Sequence, residues 1–136
     1  MAAAASDRDV GPETMEVWKD VDLYEQGLKD FESLTPLQRD WFVIKDLDIY
    51  DEMEEGFEDY ILSGGHTAQV RWLGDALRSI GDVVSVEIIS RLQGMGEDLR
   101  LDMGPLCRAY SERRHQRWSL LERHLEQRGV HLDESA

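Results

Sequence analysis

Ser33-Leu34-Thr35-Pro36-Leu37-Gln38 opens a segment that runs on through Arg39-Asp40-Trp41-Phe42-Val43-Ile44-Lys45-Asp46-Leu47-Asp48-Ile49-Tyr50-Asp51-Glu52-Met53. Thr35 has the side chain of an N-cap, Pro36 suits the first helical position, and Gln38 stands where a capping box needs it. The pattern predicts a helix from Pro36 to about Met53. At 100° per residue, Leu37, Trp41 and Ile44 fall on one side. Phe42, Ile49 and Met53 fall on the opposite side, with Val43 and Tyr50 flanking them. A helix with two apolar sides belongs in the middle of a helical domain, so this segment sets the fold class.

Working outward, residues 1–11 read as a disordered leader and Pro12 as the start of order. Met15, Trp18, Val21, Leu28 and Phe31 then recur at helical spacing, with Gly27 as a weak point. After the central helix, Phe57, Tyr60 and Ile61 give a short helix that stops at Ser63-Gly64-Gly65. His66 to Ile80 carries the stripe Val70, Leu73, Leu77 and Ile80 and ends at Gly81. Val83 to Leu92 is ambiguous, because Val84, Val86 and Ile88 alternate like a strand while Asp82 sits before them as a helix cap. Its length and cap favour a helix. Gly94 to Gly104 is expected to be a loop. From Pro105 one helix is expected to reach about Arg128, with Leu106, Cys107, Tyr110, Trp118, Leu121 and Leu125 inside its apolar stripe. The expectation is an all-α fold: a single compact domain of five or six helices over residues 12–130, with residues 131–136 as a tail.

Composition limits the function classes. The 136 residues hold 29 acidic and 15 basic side chains, so 14 carboxylates have no basic partner in the chain. Direct nucleic-acid binding and anionic membranes are therefore excluded as expectations. Residues 1–68 hold 18 acids and 5 bases, against 11 and 10 in residues 69–136, so the excess lies in the first half. The single Cys107 cannot form an internal disulfide. With no secretory leader and no apolar run of the roughly 20 residues that span a bilayer, the expected location is cytoplasmic.

The densest charge lies in Asp46 to Asp59, eight carboxylates and no base in fourteen residues. Asp48, Asp51, Glu52 and Glu55 stand at i, i+3, i+4 and i+7, one face of a helix. Like charges at those spacings cost about 0.2–0.5 kcal/mol per pair. The face is therefore either neutralised from elsewhere, with Arg113, Arg114 and Arg117 as candidates, or built to meet a basic partner. The expected partner-binding set is Asp20, Asp22, Glu25, Asp48, Asp51, Glu52, Glu54, Glu55, Glu58 and Asp59.

Catalysis finds little support. An EF-hand starting at Asp46 would put Asp51 where glycine is needed and Phe57 where glutamate is needed. Glu112-Arg113-Arg114-His115 is a single Glu-x-x-His, short of the two that a di-iron bundle uses. Cys107 lies on an apolar stripe, and Gly94-Met95-Gly96 lacks the third glycine of a dinucleotide loop. Trp18, Trp41, Trp72 and Trp118, each expected in a helix of its own, read as core anchors. No cofactor, no metal and no enzyme activity are expected. A carboxylate metal site around Glu52, Glu55 and Glu112 stands as one alternative, and an acidic face that only solvates the chain as another.

The run Leu47-Asp48-Ile49-Tyr50-Asp51-Glu52-Met53-Glu54-Glu55-Gly56-Phe57-Glu58-Asp59-Tyr60-Ile61-Leu62-Ser63-Gly64-Gly65, followed by Leu73, Leu77 and Ile80-Gly81, resembles the bacterial acidic DNA-mimic protein family, long catalogued as a domain of unknown function. Glu54-Glu55-Gly56-Phe57 stands where that family has an Asn-Gly-Gly-Phe-like turn, and Tyr60 stands at its aromatic position. The resemblance spans about residues 36–92. It implies an all-helical fold whose carboxylates imitate duplex phosphates and occupy the DNA-binding surface of a basic protein. Duplex DNA carries a charge every ~1.7 Å, whereas one helix face offers one every ~5 Å. Mimicry would therefore need acids from the first helix as well, or a homodimer.

Overall fold

The computed structural model describes residues 16–52, 60–61, 67–95 and 104–134. In chain order these form strand β1 (Glu16–Lys19), helices α1 (Asp20–Lys29), α2 (Pro36–Asp51), α3 (Thr67–Ser79), α4 (Val83–Met95), α5 (Gly104–Glu112) and α6 (Arg114–Glu126), and strand β2 (Val130–Asp133). A 3-10 turn at Phe31–Ser33 joins α1 to α2. The fold is all-α, with one short two-stranded sheet added. Among the described residues, no helix is long and apolar enough to cross a membrane.

Helix α2 begins as its sequence requires. The Gln38 N–H donates to the Thr35 hydroxyl at 3.2 Å, and the Thr35 N–H donates to the Gln38 side-chain oxygen at 2.9 Å. Both halves of the capping box are thus made, and two of the orphan donors of the first turn are satisfied. The body of α2 is enclosed on every side: Trp41, Phe42, Val43, Ile44 and Leu47 are all 0 % exposed. Helix α1 covers one flank. There Gly27 lies so close to the Phe42 ring that a Cβ would fall 2.3 Å from its carbons. Helix α3 covers another flank with Val70, Leu73, Leu77 and Ile80, the stripe expected from its spacing.

Helix α3 stops at Gly81, whose φ of +84° is the left-handed conformation that glycine adopts without cost. Asp82 then accepts from the Ser85 N–H at 3.2 Å and from the Ser85 hydroxyl at 2.5 Å. This cap decides the strand-or-helix ambiguity that follows it. Residues 83–95 are helical, burying Ser85, Ile88, Ile89 and Leu92 at helical spacing.

Several expectations are corrected. The first ordered element is not a helix from Pro12. Glu16–Lys19 is a strand in which Trp18 is buried between exposed Val17 and Lys19, the alternation of a pleated segment. The phase of α1 shifts accordingly, so Val21 and Leu28 face solvent while Leu23 and Gly27 are buried. Residues 131–133 are not tail, because Val130–Asp133 pairs in parallel with β1, Glu16 opposite Val130 and Lys19 opposite Asp133. The long C-terminal helix is two helices meeting at Arg113, whose φ of −92° and ψ of 6° leave the α region. Gly94 and Met95 complete α4 and Gly104 opens α5, which shortens the expected loop at both ends. Of the short helix around Tyr60, only Tyr60 and Ile61 are described, both helical and buried. The leader 1–11 lies outside the described residues, as do Glu54, Glu55, Glu58 and Asp59.

Candidate functional site

Four acids of α2 turn inward. Asp40 accepts from the Trp72 indole at 2.6 Å and lies 4.0 Å from the His124 ring nitrogen. Asp46 accepts from the Tyr24 hydroxyl at 2.5 Å and the Tyr60 hydroxyl at 2.8 Å. Burial, reinforced by the Asp46 charge, pushes both tyrosine hydroxyls far above their ordinary pKa and keeps them as donors. Asp48 accepts from Arg117 at 3.0 Å and from the Trp118 indole. Asp51 accepts from Arg114 at 3.1 Å and from the Ser111 hydroxyl at 2.5 Å.

Helices α5 and α6 supply the cations. Arg117 is fully buried, donates to the Tyr110 carbonyl at 2.9 Å and stacks its guanidinium 3.6 Å from the centre of the Tyr110 ring. Four residues earlier, Arg113 reaches Asp82 at 2.8 Å. Arg114 lies between them and bridges Asp51 to Glu52, the latter at 3.3 Å. Three arginines within five positions therefore tie α5 and α6 to both α2 and the start of α4. Burial raises the Asp48 carboxyl above its usual range, and Arg117, Trp118 and Arg114 oppose that rise. These arginines were the candidates for neutralising the acidic face, and two of them, Arg114 and Arg117, do so.

The expected partner-binding set is thus divided. Asp48 and Asp51 do not present a solvent-facing surface, because their carboxylates are only 8 % exposed and are held by arginines. Asp20 is also largely buried and pairs with Lys45 at 3.3 Å. Glu52 remains exposed while paired to Arg114. Asp22 and Glu25 are exposed on α1 and make no hydrogen bond or ion pair with the described residues. In the proposed metal set, Glu52 is engaged by Arg114 and Glu55 lies outside the described residues. Among the described residues no cluster of His, Cys, Asp and Glu is arranged to hold a metal ion.

Between α1, α2, α6 and the end of β2 lies an open cleft of about 420 Å³. Its walls carry Asp20, Asp48, Glu52 and Glu134 as carboxylates, Lys45 and Arg114 as cations, and Val21, Ile49 and Trp118 as apolar surface. The Lys45 ammonium stands 5.8 Å from the centre of the Trp118 ring. A cleft of this kind holds charges of both signs in fixed positions. Glu134 and Lys45 were missed as site residues. Glu134 reaches the cleft only because β2 is anchored on β1, a pairing that no local signal announces.

Comparison with protein-family models, with curated proteins and with solved structures finds no match to this chain.

Proposed function

We propose that the protein is a non-enzymatic acidic binding module that docks on a basic protein surface through α1 and the rim of the adjoining cleft. The observation that carries this reading is the contrast between α1 and α2. The acids of α2 are consumed by internal partners, whereas Asp22 and Glu25 on α1 stand exposed without one. Glu52 and Glu134 on the cleft rim extend the same negative side. Ion pairs remove charges in equal numbers, so they leave the formal net charge of −14 unchanged. Such a surface draws in a cationic partner and repels nucleic acid and anionic lipid.

DNA mimicry is the narrower form of the proposal, in which the partner is itself a DNA-binding protein. Asp22 and Glu25 are one turn apart, about 4.5 Å along the helix axis. That is sparser than duplex phosphate, so mimicry draws on further acids or on a second copy.

The test is retention of basic proteins from a cell lysate on the immobilised chain. Wild-type protein retains them at low salt and releases them as the Debye length falls from about 10 Å at 0.1 M towards 3 Å at 1 M. The Asp22→Lys/Glu25→Lys variant retains none, and duplex DNA displaces a partner that is itself a DNA binder. Equal retention by wild type and variant would return these acids to a purely solvating role.

A further inference from the structure

The segment that holds α3 and α4 has a different charge character. Residues 67–95 hold three acids and three bases, whereas residues 16–52 hold eleven acids and four bases. Within this balanced region the first turn of α4 exposes two valines, ahead of the exposed Glu87, Ser90 and Arg91. Val83 is 70 % exposed and Val84 46 % exposed, although both belong to a regular helix with a buried opposite face. They line a shallow groove of about 320 Å³ with Glu87, Ile88, Arg91 and Leu106. Groups of exposed valines at a groove are uncommon on a surface that faces only water.

We infer that a second copy of this chain docks on α4, the two helices running antiparallel about a two-fold axis. Three features select that occupant. First, the exposed edge of α4 repeats as Val83, Glu87, Ser90 and Gly94, the i, i+4, i+7, i+11 spacing of a helix seam. Second, the seam is self-complementary when reversed. Val83 lies over Gly94 of the second copy, where a Cβ would meet no atom within 4 Å and a valine therefore finds room. Glu87 lies beside Ser90 and Arg91 of the second copy. Glu87 and Arg91 already pair within one chain at 3.5 Å, and both are more than 60 % exposed, so each is free to bridge across the axis. Third, chains of net charge −14 associate at least cost where their charges balance, and α4 is neutral.

A two-fold contact uses the same patch twice, so every interaction occurs in duplicate. One 13-residue helix with Leu106 presents less than the roughly 800 Å² per partner of a standard stable interface, so the dimer is weak and forms by concentration. It does not depend on the acidic docking surface, and salt separates the two. Salt weakens binding of a basic partner, whereas it strengthens this dimer by screening the repulsion between two acidic chains.

The experiment is sedimentation equilibrium of the full chain between about 10 and 500 µM, with circular dichroism to confirm the fold of each variant. The wild-type mass rises from 15.7 kDa towards twice that value. Val84→Asp holds it at the monomer value. Glu87→Arg and Arg91→Glu, each placing like charges across the axis, weaken association about tenfold or more. An equimolar mixture of those two variants restores the dimer, because each then supplies the charge the other lacks. A wild-type chain that stays monomeric throughout overturns the inference. So does a dimer indifferent to Val84→Asp and to both charge reversals.

Discussion

Asp48→Asn measures directly whether the acids of α2 are structural. The substitution keeps the shape of the side chain and removes its charge, leaving the Arg117 guanidinium, 0 % exposed, without a counter-charge. Removing one partner of a buried ion pair costs about 3–5 kcal/mol. The asparagine carbonyl still accepts one hydrogen bond, which places the expected loss near the lower figure, at about 3 kcal/mol. Glu52→Gln affects an exposed pair, with side chains 36 % and 68 % exposed, and costs less than about 1 kcal/mol. Asp51→Asn falls between the two, because its carboxylate is buried while Arg114 still reaches water. Urea unfolding followed by circular dichroism reads all three. With a slope of about 1.5 kcal/mol/M, Asp48→Asn lowers the midpoint by about 2 M. Adding Arg117→Met to Asp48→Asn recovers part of the loss, because it removes the stranded cation. If Asp48→Asn cost no more than Glu52→Gln, the buried-pair account of these acids would be wrong.

Gly27→Ala gains about 1 kcal/mol of helix propensity. It also drives a methyl group into the Phe42 ring, which Tyr24 and Phe31 hold on its other faces at 5.3 and 5.8 Å, so a net loss of about 2 kcal/mol is expected in thermal or urea unfolding. A variant more stable than wild type would contradict the close approach of α1 and α2. Burial, assisted by Arg128, holds the His124 imidazole below its usual pKa. Below about pH 6.5 the unfolded chain takes up a proton that the folded chain refuses, so this group costs stability as pH falls from 7 towards 5. Asp40 acts in the opposite sense, since burial raises its carboxyl and the folded chain takes up its proton first on acidification. His124→Gln therefore shows a shallower loss of stability between pH 7 and 5.5 than wild type, measured as urea midpoint against pH. Identical slopes would remove His124 as a contributor.

Features written in local chemistry were legible in the sequence. Thr35, Pro36 and Gln38 build their capping box from residues three positions apart, and Asp82 caps α4 in the same way. The sandwiched character of α2 followed from its two apolar sides. Features that depend on distant partners were legible only in outline: Arg113, Arg114 and Arg117 stood as candidates to neutralise the acidic face, without indication of which carboxylate each would meet. Asp48 meets Arg117 from 69 positions away, so its place on an acidic face said nothing of its burial. Arg117 itself stands seven residues after Tyr110 and four before Leu121, on the apolar stripe, and that position was the available signal for an inward cation. The break at Arg113 has no proline or glycine to announce it. There the Arg113 side chain is held by Asp82, 31 positions upstream. The strands β1 and β2 are each four residues long and exist only through each other.

That pairing makes the sheet a clasp across a very long loop. Closing a chain over some 110 residues costs entropy that grows only with the logarithm of loop length, yet two four-residue strands return few hydrogen bonds against it. Among the described elements the clasp is therefore expected to open first. Its amides should exchange with solvent well before those of α2, without global unfolding. Glu134 directly follows β2 and Val21 follows β1 by two residues, and both line the cleft. Each opening of the clasp then releases one wall of the cleft. The proposed docking surface is thereby joined to the clasp, and a partner that bound the closed form would slow hydrogen exchange at β1 and β2 while leaving the central helix unchanged.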